Sequence, residues 1–368
     1  MTTKLQRLWD EQGQSPWLDN LRRDWIHDGT LQRWIDRGVR GVTSNPSIFQ
    51  KAMTAGNAYD QQFAELVRVG STVDDAYWTM VDRDIRDALA LLRPVHDASG
   101  GVDGYVSLEL APEMARDTDA SITAARTFHE SIDAPNLYVK IPGTAEGVPA
   151  IRQMVAEGRN INITLLFGLP RYAEVMEAYL AGLEAFAAGG GDPSTVHGVA
   201  SFFISRVDTE VDRRLDGIGS DEALALRGKA AVAQGKLAYQ LFRDTFRGAR
   251  WEALVAKGAN VQRPLWASTS TKNPAYPKTL YVDTLIGPDS VNTLPEATLD
   301  DFEDDGTLAR TVDAEIDEAR RVFDDLARVG VDLEDVARTL EDEGVAAFAK
   351  AFDELRGNLE GKAAALLR

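Results

Sequence analysis

The feature that most constrains this chain is a repeat of organisation: eight short apolar runs, most followed by a longer stretch with helical spacing. The runs are SPWLDNL from Ser15, GVTSNP from Gly41, GYVSLEL from Gly104, NLYVKIPG from Asn136, NINITLLF from Asn160, VHGVASFF from Val196, RPLWASTS from Arg263 and LYVDTLIG from Leu280. Runs this short, rich in Val, Ile, Leu and aromatics, suit strands buried on both faces of a parallel sheet. The intervening segments supply the helices. Thr144 is placed to cap one that carries Val148, Ile151, Met154 and Val155 on one face, and Pro170 suits the first turn of another that continues through Val175, Met176, Tyr179, Leu180 and Leu183. Val312, Ile316, Ala319, Val322, Phe323 and Leu326 mark a further helix, and Asp332 opens a last one.

Strict strand-helix alternation over 368 residues predicts an α/β fold, a (β/α)8 TIM barrel with additional helices, as one domain over residues 1–368. AAGGGDPS near Gly189 reads as a loop, because alternation resumes directly after it. A doubly wound open sheet is the competing architecture, but neither GxGxxG after a strand nor GxxxxGK[ST] occurs.

Successive strand side chains face opposite ways, so each run divides into two faces. One face of NINITLLF carries Asn160, Asn162 and Thr164, opposite Ile161, Ile163 and Leu165. Tyr105, Ser107 and Glu109 align in the third run, Trp17 with Asp19 in the first, Tyr138 with Lys140 in the fourth, Val199, Ser201 and Phe203 in the sixth, and Tyr281 with Asp283 in the eighth. If the other face packs on helices, these polar groups converge inside the barrel. A buried charge costs several kcal/mol unless paired, so such an accumulation points to a site more than to packing.

Each position also has a plainer reading. Lys140 could form a structural pair with Asp19 or Glu109; Asn45 could shape a turn before Pro46; Asn162 and Thr164 could satisfy one another; Asp283 could partner a cation. Arg206 could be solvated early in its helix, and DDFEDDG near Asp301 suits a solvated loop. Taken together, the set supports imine chemistry. A lysine amine that has lost part of its solvation attacks a ketose carbonyl, and the protonated imine lets the adjacent carbon-carbon bond break. Asp19 is the candidate base for the neighbouring hydroxyl, Glu109 with Thr164 the candidate pair handling water, and Arg206 with Ser270, Thr271 and Lys272 the candidate anion site.

A net charge of −18 opposes bulk attraction to nucleic acid or to anionic membranes, so an anionic substrate requires a locally basic pocket. With no cysteines there are no disulfides or thiolate nucleophiles, as suits a reducing compartment. His27, His96, His129 and His197 show no metal-ligand spacing, so no metal is expected. The N-terminus lacks the apolar core of a signal peptide and no stretch has transmembrane length, so the expected location is the cytoplasm.

Several of these segments, in order, resemble one family. LDN at Asp19, GVTSNPS at Asn45, VSLE at Glu109, NLYVKIPGT at Lys140, NINITLLF at Asn162 and SFFISRVD around Arg206 are similar to the motifs of transaldolases of the longer bacterial form. The resemblance implies that Lys140 forms the Schiff base and Asp19 acts as acid and base. It implies that Glu109 and Thr164 handle water, that Asn45, Asn162 and Ser201 hold donor hydroxyls, and that Arg206 binds phosphate. Ser107, Phe203, Ser270 and Lys272 complete the expected substrate-binding set. The implied reaction moves dihydroxyacetone from sedoheptulose 7-phosphate to glyceraldehyde 3-phosphate, without cofactor or metal, in a monomer or homodimer whose partners are its sugar-phosphate substrates. Phe203 favours transfer over release of free dihydroxyacetone, since related aldolases tend to carry a tyrosine there. A barrel that has lost catalysis and serves regulation or scaffolding is the other alternative; it would not need Asp19, Glu109 and Lys140 together. Three features depart from the family pattern: Lys272 stands where many members have arginine, NPAYPKT is inserted, and the C-terminal region is long and acidic. Some members are fused to glucose-6-phosphate isomerase, and no second domain is expected here.

Overall fold

Eight parallel strands close on themselves in chain order in the computed structural model, which describes residues 2–367. They are β1 Gln14–Leu18, β2 Gly41–Thr43, β3 Tyr105–Glu109, β4 Leu137–Pro142, β5 Ile161–Leu166, β6 Gly198–Phe203, β7 Gln262–Ala267 and β8 Ser290–Leu294. Helices follow the strands and coat the outside. Outward residues such as Ile141, Ile163, Phe202 and Trp266 join Met154, Tyr172 and Met176 of the helices in one continuous core. Phe202 stands edge-on between Tyr172 and Trp266, with ring centroids 5.6 and 6.4 Å away. The expected helices form at Gly147–Ala156, where the Thr144 hydroxyl accepts from the Gly147 amide, and at Leu169–Ala188, with Pro170 in its first turn. Asp332 caps the long helix Leu333–Leu366. Among the described residues, no helix is long and apolar enough to cross a membrane.

The inward faces stack in layers. At the N-terminal end, Asp103 and Arg263 plug the barrel; above them Tyr105 and Tyr138 stack at 4.1 Å beside Trp17. A Cβ at Gly41 would stand 2.4 Å from the Trp17 ring, so β2 can begin there only with glycine. Polar side chains occupy the layers above.

Several expectations are corrected. The last strand is SVNTL, and Leu280–Asp283 of LYVDTLIG is a short helix. A short apolar run does not discriminate between the two by period. The true β8 reads as polar because its Ser290 and Asn292 meet partners that are neighbours only in space: Gln14 Nε2 donates to Ser290 Oγ at 2.9 Å and Thr269 Oγ1 to Asn292 Oδ1 at 2.8 Å. Tyr281 and Asp283 therefore do not face the barrel interior from a strand, and Asp283 takes hydrogen bonds from the Thr279 hydroxyl and the Thr307 amide where a cation was expected. In β5 the alternation stops after Thr164, because Leu165 adopts φ +58° and the register with β6 skips; its side chain meets Gly344 of the C-terminal helix. Lastly, most of DDFEDDG lies in the helix Glu296–Asp305, and Val312 precedes the helix Ile316–Arg328 instead of joining it.

Candidate active site

At the C-terminal ends of the strands, the end where barrel enzymes assemble their chemistry, the molecule opens into a cavity of about 500 Å³. Strand register builds its floor. Glu109 pairs with Lys140 across β3 and β4, and Lys140 pairs with Asn162 across β4 and β5, so all three emerge on one face. Lys140 Nζ donates to Glu109 Oε2 at 3.0 Å and to the Ser44 carbonyl at 3.2 Å. Of the two readings open from sequence, an amine among apolar walls or a pair with Asp19 or Glu109, the structure shows the pair with Glu109, both partners 5% exposed. Burial holds the Glu109 carboxyl above the ordinary carboxylate range, against the opposing pull of Lys140. A proton shared by the pair therefore has somewhere to go when the amine must be neutral.

Asp19 follows β1 directly, its amide bonded to the Leu294 carbonyl at 2.8 Å. Its carboxylate accepts from Thr43 Oγ1 at 2.8 Å, and Thr43 lies 2.9 Å from the Thr293 hydroxyl. Burial also raises Asp19, offset in part by the Thr43 hydrogen bond and by Lys140. Thr164 lines the same cavity, and among the described residues its buried hydroxyl has no hydrogen-bond partner. Behind the wall runs a polar row: Ser201 Oγ donates to Asn162 Oδ1 at 2.7 Å, and Asn162 Nδ2 donates to Ser107 Oγ at 2.9 Å. Ser201 reaches the cavity, whereas Ser107, Asn162 and Glu109 stand behind it. Asn45 does two things at once, lining the cavity and capping the helix Pro46–Thr54 through a 2.9 Å bond from the Ile48 amide.

Arg206 faces the cavity from the start of the helix Ser205–Ile218, in place of the solvated position open to it from sequence. Its guanidinium lies over the Phe203 ring at 5.3 Å, and Phe203 packs on Phe167 at 5.0 Å. Ser270 and Lys272 line the facing segment, where Lys272 Nζ donates to Ser270 Oγ at 3.1 Å. Backbone bonds of 3.0 Å from Ile204 and Ser205 to the carbonyls of Ala267 and Ser268 tie the two segments together. The NPAYPKT segment adds a second tie. Its Tyr276 hydroxyl donates to Asp212 on the Arg206 helix, and Thr271 donates to the Pro277 carbonyl at 2.8 Å.

Other cavity residues were not anticipated. Thr43 lies within a motif already singled out, as does Ser44, whose carbonyl holds Lys140 from outside the cavity, and Lys51 has helical spacing from Ile48 as its only signal. Phe348 arrives from the C-terminal helix, with no sequence signal. That helix crosses the barrel mouth strapped by ion pairs such as Arg214–Asp335 at 2.7 Å and Lys362–Asp60 at 2.8 Å. Among the described residues, no three His, Asp or Glu side chains group as a metal site would require.

Fold and cavity together define a class, the (β/α)8-barrel enzymes that keep a buried lysine beneath a cationic pocket. A family model described as transaldolase/fructose-6-phosphate aldolase matches residues 16–359. The transaldolase of Thermobifida fusca is 50% identical over 357 residues, covering 96% of this chain and 97% of that one. A Mycolicibacterium paratuberculosis transaldolase is 51% identical over 93% of each chain, and transaldolase 2 of Streptomyces coelicolor 47% identical over 98% of each. The chain belongs to the transaldolase family.

Proposed function

We propose that this enzyme transfers a dihydroxyacetone unit from sedoheptulose 7-phosphate to glyceraldehyde 3-phosphate, giving erythrose 4-phosphate and fructose 6-phosphate in the non-oxidative pentose phosphate pathway. The observation that carries this reading is the contact of 3.0 Å between Lys140 and Glu109 beneath a cavity that Asp19, Thr164 and Arg206 also line. Lys140 passes its proton to Glu109 and attacks the ketose carbonyl carbon. Glu109 then protonates the departing hydroxyl, which leaves as water held by Thr164, and the imine forms. Asp19 takes the proton of the C4 hydroxyl, carried by the far carbon of the bond to be broken. The C3–C4 bond cleaves, its electrons move to the imine, and the first aldehyde leaves an enamine on the enzyme. Attack of the enamine on the acceptor aldehyde, with Asp19 returning the proton, reverses these steps.

A base whose proton affinity is raised toward the working pH suits proton abstraction, and burial of Asp19 acts in that direction. The Phe203 ring, covered by Phe167 and Arg206, keeps one wall of the cavity apolar. This supports transfer to an aldehyde over interception of the enamine by water. The test is borohydride reduction in the presence of fructose 6-phosphate, followed by mass mapping. An adduct on Lys140, absent from a folded Lys140→Ala variant, is expected; an adduct on another lysine, or none in the wild type, overturns the reading. Donor cleavage that is rapid without glyceraldehyde 3-phosphate would assign the free-aldolase reaction instead.

A further inference from the structure

Three cations reach the outer cavity without an acidic partner. Lys51, Arg206 and Lys272 all line it; Lys272 bonds to the Ser270 hydroxyl, Arg206 rests on an aromatic ring, and among the described residues none of the three forms a salt bridge. Elsewhere the chain pairs its cations readily. Arg116, Arg214 and Arg250 each hold two carboxylates within 3.0 Å. In a protein of net charge −18, unpaired cations gathered in one cavity are an arrangement suited to an anion.

Helix geometry brings Lys51 there. Asn45 caps the helix Pro46–Thr54, and Ile48, Lys51, Ala52 and Ala55, at offsets of three, four and seven, present one face to the cavity. Lys272 feels Lys51. Burial first, then Arg206, with Lys51 adding to it, hold Lys272 below the ordinary lysine range, with Asp19 opposing. Such repulsion between ammonium groups is relieved by an anion between them.

We propose that Lys51 is a third phosphate ligand of this cavity, a specificity determinant acting beside Arg206 and Lys272. The proposal rests on the sugar-phosphate reading above and extends it. A phosphate group offers three free oxygens. The planar guanidinium of Arg206 can engage two of them, and Lys272 contributes a point donor without a fork. Lys51, on a flexible stem from a different wall, supplies the remaining donor. It also stands in the last turn of its helix, where a cation steadies the carbonyl end; a role of that kind alone would change stability and leave phosphate affinity untouched.

Inorganic phosphate is the probe. Calorimetric titration should give about tenfold weaker binding in Lys51→Ala than in the wild type, the loss of one charge-assisted hydrogen bond, and near-wild-type binding in Lys51→Arg. In steady-state assays, KM for fructose 6-phosphate should rise by a similar factor in Lys51→Ala, while KM for unphosphorylated fructose does not. Unchanged phosphate affinity overturns the proposal, as does an equal rise in KM for both sugars or a lower melting temperature as the only effect. Titration with phosphate needs no turnover. A wild type that forms no Lys140 adduct but keeps the phosphate pattern would fault the transfer reaction and not the role of Lys51.

Discussion

The two ends of this barrel both bury charge, and they treat it oppositely. At the N-terminal end, Asp103 is fully buried and accepts from Ser15 Oγ at 2.7 Å, Trp17 Nε1 at 3.1 Å, Arg40 Nε at 2.6 Å and Arg263 Nη2 at 3.0 Å. Burial alone would raise its carboxyl, yet Arg263 and Arg40 together take it below the usual range. Arg263 completes its own shell with the Ser15 hydroxyl and the Val102 carbonyl. At the C-terminal end, Glu109 and Asp19 are both held above the usual range, and among the described residues the Thr164 hydroxyl lacks a partner and Arg206 a counter-ion. A saturated network rigidifies; one with capacity left can accept a substrate and exchange a proton.

Removing one member from each end should separate function from stability. Lys140→Ala is expected to cut kcat by about 10⁴-fold or more, while stability changes by no more than about 2 kcal/mol, because Glu109 can take up a proton once its partner is gone. Steady-state kinetics and urea unfolding on one preparation check both halves. Asp103→Ala should do the reverse: a loss of about 3–5 kcal/mol, since buried Arg263 is left without its anion, with kcat per folded molecule unchanged. An Asp103 variant as stable as the wild type would break the comparison.

Asp208 is an intermediate case, a buried carboxylate that bonds to the Tyr281 hydroxyl and the Ala231 amide but pairs with no cation among the described residues. Burial raises it to about 6, against those hydrogen bonds. The folded state therefore binds its proton more tightly than the unfolded chain, in which the ordinary value is 3.8. Its contribution is present below pH ~4 and lost as pH rises through about 6, roughly 2–3 kcal/mol in full. Unfolding measured from pH 4 to 7 should show that slope in the wild type and a flatter profile in Asp208→Asn. The smallest effect is expected at Thr164. Replacing its unpartnered hydroxyl in Thr164→Val should leave stability equal or up to ~1 kcal/mol higher, and slow imine formation about tenfold by loosening the departing water. Stopped-flow trapping of the imine and thermal unfolding test the two together; a destabilised variant would mean that the hydroxyl is structural.

Much of the site was legible because strand alternation is a local rule. Glu109, Lys140 and Asn162 could be placed on inward faces from their own runs, and parallel pairing sets them side by side. That rule fails where the backbone departs from it. Leu165, in the left-handed region, leaves the face that alternation assigns to it, and LYVDTLIG spends its apolar residues on a helix while a more polar segment completes the barrel. The N-terminal plug was not anticipated either. Asp103 precedes β3 in a glycine-flanked turn, and only barrel closure brings it to Arg263, far along the chain.

The sequence by itself determined the number of β-α units, the inward placement of Lys140 and its neighbours, and the order of motifs that identifies the family. The first two follow from periodicity and local composition, the third from the resemblance of those motifs to one family. Tertiary structure decided which segment closes the ring, that Lys140 is paired with Glu109, and that Lys51 and Phe348 meet Arg206 and Lys272 around one cavity. Those outcomes depend on how a closed, staggered sheet and the helix across its mouth bring distant residues together, which no local period encodes.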